Sequence, residues 1–313
     1  MPLFGKFGDA VAPEPATAVE QELQPKSYPE PVLTPGGPPN PLSSLLQPMK
    51  KSKADRVEIR KATEVLKVAS STVINPHPEK VSWGGEDATF LKTKTFGVFD
   101  GVSGAEKVEG MPLYSATLAS EMKKLITANG NNESLNFDQL YAYMRSARDT
   151  ADATSTGAST ALAGSIGDDN VLRVLNVGDC KCIVVRDRKI YCKTLDIIHS
   201  YDCPYQFADE SPDEPEDGST MEVMLARGDL VIVASDGVFD NFNDSDMIKL
   251  INSSPSTPSA LASKISKESR RISFDANADT PYARNAKAER VRGFESGKGG
   301  KLDDVSVVVL EMK

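Results

Sequence analysis

Two short apolar segments that each end abruptly in Asp-Gly constrain the fold of this chain more than any other feature. Their sequences are TFGVFDG at 95–101 and LVIVASDG at 230–237. A strand that stops at Asp-Gly holds one carboxylate, here Asp100 or Asp236, at the edge of a rigid sheet. The glycine lets the backbone turn and leaves its carbonyl open to a cation. Two ordinary hairpin turns are the alternative, but the pair favours carboxylates that converge on hard cations from separate strands.

Composition and charge exclude several classes of protein. Of the 313 residues, 39% are hydrophobic and 26% are charged, and the net charge is −9. Such a chain is globular, and no global positive field draws it to nucleic acid or anionic lipid. We find no apolar run that could span a bilayer, no secretory signal and no Arg-rich transit segment. The sequence therefore predicts an intracellular, cytoplasmic protein, with the mitochondrion or plastid as the alternative.

Cysteine and histidine usage narrows the chemistry further. The four cysteines lie between positions 180 and 203 without the spacing of zinc knuckles. Cys180 and Cys182 share one face of a predicted strand, and we expect them to be buried thiols of a reducing compartment. With only His77 and His199 in the chain, a His-ligated zinc site or a Ser-His-Asp triad is disfavoured. Any catalysis is expected to depend on oxygen ligands.

The rest of the pattern predicts a leader followed by one domain. Residues 1–52 are rich in proline and are predicted to be a disordered leader, and residues 53–313 form the domain. Helical periodicity is present over 113–126, 137–151, 246–251, 258–273 and 283–291. Strands are predicted over 71–74, 161–166, 171–177, 182–185, 190–193, 221–225 and 305–310, with an irregular acidic loop over 199–218.

Further acids stand at the predicted starts of strands. Glu86 and Asp87 precede the segment ATFL, and Asp303 precedes the C-terminal strand VSVVVL. Several carboxylates without histidine suit Mg²⁺ or Mn²⁺. Two such ions can hold a hydroxide for in-line attack on phosphorus, so the acids suggest metal-assisted hydrolysis of a phosphoester.

Six motifs in order resemble those of the metal-dependent protein phosphatases of type 2C. They are GEDA at 85–88, FGVFDGVSG at 96–104, GASTA at 157–161, NVGDC at 176–180, ASDGVFDN at 234–241 and DDVSVV at 303–308. The resemblance runs from about residue 70 to the C-terminus. The stretch PYQF at 204–207 is most similar to the branch of this family found in mitochondria and plastids.

The resemblance implies an α+β fold, a four-layer αββα sandwich in which two antiparallel β-sheets are flanked by helices. By motif, Asp100 bridges two Mg²⁺ or Mn²⁺ ions and the Gly101 carbonyl binds one of them. Asp236 and Asp303 bind the other ion, so the catalytic residues would be Asp100, Asp236 and Asp303. Glu86 would hold a metal-bound water, and Asp87 would support the site.

The resemblance also implies a possible third ion and shows three departures. Asp179 and Asp240 fall where some members hold a weaker third ion, although a hairpin turn and a helix-start cap would explain them equally. Val102 replaces the usual histidine after Asp-Gly, so water would have to protonate the leaving alkoxide. Lys80 lies where many members have an arginine that grips substrate phosphate, and it is a candidate substitute. Asp304 replaces the usual asparagine.

The expected function is a serine/threonine protein phosphatase in which a hydroxide held between two Mn²⁺ or Mg²⁺ ions attacks phosphoserine or phosphothreonine esters. The expected partner is a phosphorylated protein, with no nucleic acid or membrane, and the chain is predicted to be a monomer. The alternative is a catalytically weak pseudophosphatase that acts as a binding module. A haloacid-dehalogenase-type phosphatase is disfavoured because Val98 and Ala234 occupy the first position of its Asp-x-Asp motif. The helices after Asp100 and Asp236 disfavour a sugar- or calcium-binding β-protein.

Overall fold

The structure, a computed structural model, describes residues 30–35, 64–129, 134–253 and 257–313. The helices are α1 Tyr114–Ala128, α2 Phe137–Thr154, α3 Asp236–Phe239, α4 Asp244–Asn252, α5 Pro258–Ser273 and α6 Pro281–Ala288. The strands in the first half are β1 Val32–Thr34, β2 Val68–Asn75, β3 Ala88–Leu91, β4 Thr95–Phe99, β5 Ala158–Ser159, β6 Ala161–Ile166 and β7 Val171–Val177. Those in the second half are β8 Lys181–Arg186, β9 Lys189–Lys193, β10 Ile198–Ser200, β11 Cys203–Pro204, β12 Phe207–Ala208, β13 Ser219–Met224, β14 Leu230–Ala234 and β15 Val305–Met312.

Two antiparallel sheets form the centre of the fold. The first has six strands in the order β1-β13-β7-β6-β4-β3, and the second has five in the order β2-β15-β14-β8-β9. The short strands β10 and β11 pair with each other, and β12 pairs with β5. Every pair of strands is antiparallel.

Alternation along the strands sorts the apolar side chains into three layers. On β14, Val231 and Val233 belong to the cluster between the sheets, whereas Ile232 and Ala234 face the cluster that contains residues of α4 and α5. The outer face of the first sheet packs against α1 and α2, which bury Leu118 and other side chains of its cluster. Because strand side chains alternate between faces, each sheet is covered on both sides. The result is a four-layer αββα sandwich, as the resemblance implies.

The predicted helices are confirmed to within a few residues at each end, because their apolar positions recur with helical spacing. α2 begins with a capping box in which Asn136 and Gln139 exchange side-chain and backbone hydrogen bonds. Cys180 and Cys182 are buried between the sheets, as expected, and all four cysteines are free thiols. No helix in the described part of the chain has the length and hydropathy to cross a membrane.

One expectation and two of the alternatives differ from the structure. The loop predicted over 199–218 contains parts of β10, the short strands β11 and β12, and one 3₁₀ turn at Pro215–Asp217. Asp236-Gly237 does not make a hairpin turn but opens α3, and Asp240 is the C-cap of that helix rather than a helix-start cap. Such one-turn and two-residue elements carry no sequence periodicity, because their conformation depends on contacts with distant parts of the chain.

The predicted leader, residues 1–52, is described only over 30–35. There, Val32–Thr34 form β1 and pair with β13 at the edge of the first sheet, with Val32 opposite Glu222. For these three residues the prediction of disorder is wrong. The rest of the leader, and residues 53–63 of the predicted domain, lie outside the described residues.

Candidate metal centre

Strand pairing in the first sheet brings two of the predicted acids to the same edge. Ala88 at the start of β3 pairs with Phe99 at the end of β4. Asp87, immediately before β3, and Asp100, immediately after β4, therefore leave the sheet side by side. This arrangement follows from antiparallel pairing, in which the end of one strand lies beside the start of the next.

The second sheet places another pair of acids in the same way. Ala234 at the end of β14 pairs with Val307 near the start of β15. Asp236 therefore opens α3 beside Asp303, which precedes β15. Because β14 and β15 are central strands flanked by β8 and β2, these two carboxylates are attached to a rigid part of the fold.

Asp100 of the first pair and both acids of the second pair meet at one end of the sandwich, in a cleft of about 380 Å³. Its lining includes residues from both sheets, among them Asp100, Gly101, Thr160, Asp179, Asp236, Lys301 and Asp303. The carboxyl groups of Asp100 and Asp236 lie close enough to shift each other's pKa. Burial, with the charges of Asp236 and Asp87, holds the pKa of Asp100 well above its usual range. The cleft thus concentrates negative charge that the nearby lysines only partly balance.

Gly101 allows the wall of the cleft to approach Asp100 closely. A Cβ at position 101 would overlap the carbonyl oxygen of Glu86 and lie 2.7 Å from the Glu86 Cβ. The Ser115 hydroxyl donates a hydrogen bond to that same carbonyl oxygen. The backbone around Glu86 is therefore held against Gly101, and only glycine fits there.

Two lysines and a serine surround the Glu86 carboxylate. Lys80 Nζ and Ser103 Oγ donate to Glu86 Oε2, the latter over 2.6 Å, and Lys107 forms an ion pair with Oε1. Burial would raise the pKa of Glu86, but these donors outweigh burial and lower it. Lys80 is a candidate that the sequence predicts, whereas Lys107 lies in a loop with no motif of its own and is not predicted.

Asp304, which stands where an asparagine is usual, ties this wall to β15. Its Oδ2 accepts hydrogen bonds from Glu86 N at 3.0 Å and from Lys80 Nζ at 3.2 Å, and its Oδ1 accepts one from His77 N at 2.6 Å. The side chain is only 2% exposed. The carboxylate thus also serves as a counter-ion for Lys80, which an asparagine could not provide.

Lys301 is the second residue that the sequence analysis missed. Its ammonium lies 2.6 Å from Asp236 Oδ2, 3.0 Å from Asp240 Oδ2, 3.3 Å from Asp202 Oδ1 and 3.5 Å from Asp303 Oδ2. Burial would raise the pKa of Asp236, but the charge of Lys301 and its hydrogen bond to Asp236 help to lower it. The only sequence signal was a lysine two positions before a predicted ligand.

Three further carboxyl groups have pKa values far above their usual range. Burial and the charges of Asp304 and Asp303 raise the pKa of Asp87 to about 8. Burial and Asp236 raise that of Asp303 to about 7. Burial with the charges of Asp236 and Asp240 raises that of Asp179 to about 8. In each case burial is the largest cause, and like charges add to it.

The donor set fits hard divalent cations. Neither carboxylate oxygen of Asp87, nor Oδ1 of Asp236, has a hydrogen bond of good geometry within the described structure, although the hydroxyls of Ser235 and Ser306 lie near Asp87. Buried carboxylates without donors must be neutralised by a proton or by a cation. All the groups are carboxylate or carbonyl oxygens, which Mg²⁺ and Mn²⁺ prefer.

The structure brings most of the predicted site residues to this cleft. Asp100, Gly101, Asp179, Asp236 and Asp303 line it. Asp240 is joined to them through Lys301, and Glu86 and Asp87 lie in the wall beside Asp100. Among the described residues, no three acidic, histidine or cysteine side chains form a ready-made metal-ligand cluster. Lysine ammonium groups stand among the carboxylates instead.

The chain is similar in sequence to known proteins of one group of enzymes. No family model matches it. It is 32% identical over 281 residues to a probable protein phosphatase 2C 1 of Oryza sativa subsp. japonica, a match that covers 85% of this chain and 81% of that protein. It is also 32% identical over 255 residues to a probable protein phosphatase 2C 26 of Arabidopsis thaliana, with coverage of 76% and 81%.

Solved structures share the fold. The photosystem II phosphatase PBCP matches with a TM-score of 0.68 at 28% identity, over 79% of this chain and 99% of that one. The catalytic domain of the serine/threonine protein phosphatase PstP, in complex with two manganese ions, matches with a TM-score of 0.54 at 14% identity, over 79% and 99%. The second likeness is one of fold alone.

Proposed function

The chain belongs to the metal-dependent protein phosphatases of type 2C, and from this premise we propose which of its residues carry the hydrolysis of phosphoserine and phosphothreonine esters in proteins. The observation that carries the assignment is the meeting of Asp100 from one sheet with Asp236 and Asp303 from the other in a single cleft. Repulsion among carboxylates gathered at one end of a sandwich lowers the stability of the fold, so a sandwich without a cation site would have no reason to gather them.

Asp100, Asp236, Asp303 and the Gly101 carbonyl would hold two divalent ions, either Mg²⁺ or Mn²⁺. Divalent ions bound there would supply an activated water nucleophile and stabilise the charge that develops on the phosphoryl group. When cations displace the proton of Asp87, the Asp87 carboxylate would place a negative charge behind Asp100.

Lys80 and Lys107 fix the orientation of Glu86, which would in turn orient a water molecule beside the cleft. Lys80 is also the cation that could attract the substrate phosphate at this wall, as a point charge rather than a bidentate donor. Val102 carries no proton donor, so the leaving serine or threonine alkoxide takes its proton from water. The described cleft lining contains no histidine that could replace that water.

The pseudophosphatase alternative gains no support, because the acid set is complete and gathered in one place. We propose residues 53–313 as the phosphatase domain, since the described elements from β2 to β15 form one pair of sheets; β1 adds an edge strand from outside these bounds. That the chain is a monomer remains a prediction, which gel filtration of the purified chain would check.

The substrate class is a phosphorylated protein. Likeness to a photosystem II phosphatase at 28% identity supports the plastid among the compartments that the sequence allows. Phosphorylated proteins of photosynthetic membranes are therefore the first substrates to test. A fluorescent fusion of the full chain would show whether it enters a plastid or stays in the cytoplasm.

The test is release of phosphate from a phosphothreonine peptide and from p-nitrophenyl phosphate by the full chain, first stripped with EDTA and then supplied with Mn²⁺. We expect activity only with the metal, and a loss of at least about 100-fold in Asp236→Asn. Asp168→Asn makes the same chemical change at a side chain that is 76% exposed at the other end of the first sheet. This control should retain full activity. A folded wild-type chain without Mn²⁺-dependent turnover would instead support the binding module.

A further inference from the structure

The ammonium of Lys301 lies at the centre of a group of four acidic side chains in the cleft. It forms ion pairs with Asp236, Asp240, Asp202 and Asp303 at 2.6–3.5 Å, and its side chain is 19% exposed. The Tyr282 ring lies 5.2 Å from the same nitrogen, a cation–π distance. A lysine with this many partners is not a chance surface ion pair, which would give little energy and little order.

The backbone of Lys301 is fixed by a buried asparagine. Asn241 Oδ1 accepts from Lys301 N at 3.0 Å, and Asn241 Nδ2 donates to Lys301 O at 2.9 Å and to Gly237 O at 2.9 Å. Asn241 is 3% exposed and follows the C-cap of α3. One side chain thus clamps the Lys301 peptide to the helix that begins with Asp236. The backbone from which the Lys301 side chain extends is therefore fixed by the fold.

The Lys301 ammonium marks what we call the outer side of Asp236, and the position that Asp236 and Asp303 share with the first-sheet acids Asp100 and Asp87 is the inner side. Its ion pairs among the described residues do not include Asp100 or Asp87. Asp236 Oδ2 contacts the Lys301 ammonium at 2.6 Å, whereas its other oxygen, Oδ1, has no hydrogen bond of good geometry within the described residues.

We propose that Lys301 is a built-in cation that permanently fills the outer position between Asp236, Asp240 and Asp202. The chain then binds two divalent ions on the inner side and no third ion on the outer side. This inference deepens the proposed function, because it assigns Asp240 to an ammonium rather than to a metal and makes Lys301 a positioning residue for Asp236. One fixed positive charge there also lowers the repulsion among three carboxylates before any metal binds.

The experiment is Mn²⁺ titration calorimetry and metal-free thermal unfolding of the full chain. In Lys301→Met we expect an additional, weaker Mn²⁺-binding event beyond the two of the wild type. In EDTA, its Tm should be lower by about 5–10 °C, because the four carboxylates that pair with Lys301 lose their counter-ion. Lys301→Arg should restore both properties. Lys298→Met removes an exposed lysine from the same loop and should change neither.

A second variant covers the case in which Lys301→Met does not fold. Asp240→Asn leaves Lys301 paired with Asp236 and Asp202, so it should bind two Mn²⁺ ions with affinities within about threefold of the wild type. A tenfold loss of affinity would make Asp240 a metal ligand and overturn the inference. So would a third Mn²⁺ ion in the wild type, or a Lys301→Met chain with unchanged stoichiometry and Tm.

The two proposals fail in different ways. A wild-type chain that binds no Mn²⁺ would refute the proposed function. The Tm of Lys301→Met in EDTA still tests the positioning role of Lys301 in that event, since no metal takes part in that measurement.

Discussion

Replacement of Gly101 by alanine should separate two parts of the cleft that the fold holds in contact. The new Cβ would lie 2.7 Å from the Cβ and 2.9 Å from the carbonyl carbon of Glu86, and would overlap the Glu86 carbonyl oxygen. Ordinary contact begins at 3.4 Å, so the two segments must move apart by at least about 0.7 Å. Metal-ligand distances tolerate only about 0.2 Å.

The expected cost is large for one methyl group. A displacement approaching 1 Å near a reacting centre costs up to about 100-fold in rate, so we expect kcat/KM of Gly101→Ala to fall about 10–100-fold. Overpacking should destabilise the fold by about 1–3 kcal/mol, which lowers Tm by roughly 2–10 °C in a domain of this size. The assay is Mn²⁺-dependent hydrolysis of p-nitrophenyl phosphate, with Tm measured on the same samples.

Gly104 provides the matched control for this experiment. It lies in the same loop, but a Cβ there meets no atom within 4 Å. Gly104→Ala should therefore keep wild-type kcat/KM and Tm. A Gly101→Ala chain whose kcat/KM and Mn²⁺ affinity stay within twofold of the wild type would refute the close approach on which the site is built.

Three further predictions address charge. Lys80→Met should lower kcat/KM for a phosphopeptide about 10–100-fold, and Lys80→Arg should recover part of this loss. An unchanged KM in Lys80→Met would show that Lys80 does not bind the substrate. Arg186→Met leaves buried Asp229 without its bidentate partner and should lower the free energy of unfolding by about 3–5 kcal/mol. The value of kcat at 10 °C should not change, because this pair lies far from the cleft. The folded-state pKa values of Asp87, about 8, and Asp303, about 7, exceed the unfolded value of 3.8. Their contribution to the stability of the metal-free fold is therefore complete below about pH 4 and is lost as the pH rises through 7–8. The increase in Tm on adding Mn²⁺ should grow from pH 5.5 to 8, and an increase that shrinks over this range would contradict these pKa shifts.

The sequence singles out several acids that the structure gathers at one cleft, because each stands at the end or the start of an apolar strand. Asp100 and Asp236 follow segments whose composition alone indicates buried strands. Their meeting could not be derived from those patterns, since it depends on which strands pair and on how two sheets face each other. The resemblance to known phosphatases supplied that information.

The lysines of the cleft show where sequence reasoning stops. Lys301 contacts Asp202 and Asp240, which are 99 and 61 residues away in the chain. Lys107 lies in a loop with no pattern, yet it reaches Glu86. Such contacts have no local signature, because a flexible side chain finds its partners only after the backbone is in place.

The edge strand β1 was missed for a different reason. Val32–Thr34 is three residues long and exposed, within a segment rich in proline. Its conformation comes from hydrogen bonds to the edge of β13 rather than from burial of its own side chains. A short strand of this kind has no alternation that a sequence could reveal.

The most direct test of the account is an anomalous difference map from crystals of the full chain grown with Mn²⁺. We predict two peaks about 3.5–4 Å apart, both beside Asp100, with Asp236, Asp303 and the Gly101 carbonyl as the other protein ligands. A map with no peak near Asp100, or with its only peaks outside the cleft, would contradict the claim that carboxylates from both sheets jointly hold a pair of divalent ions.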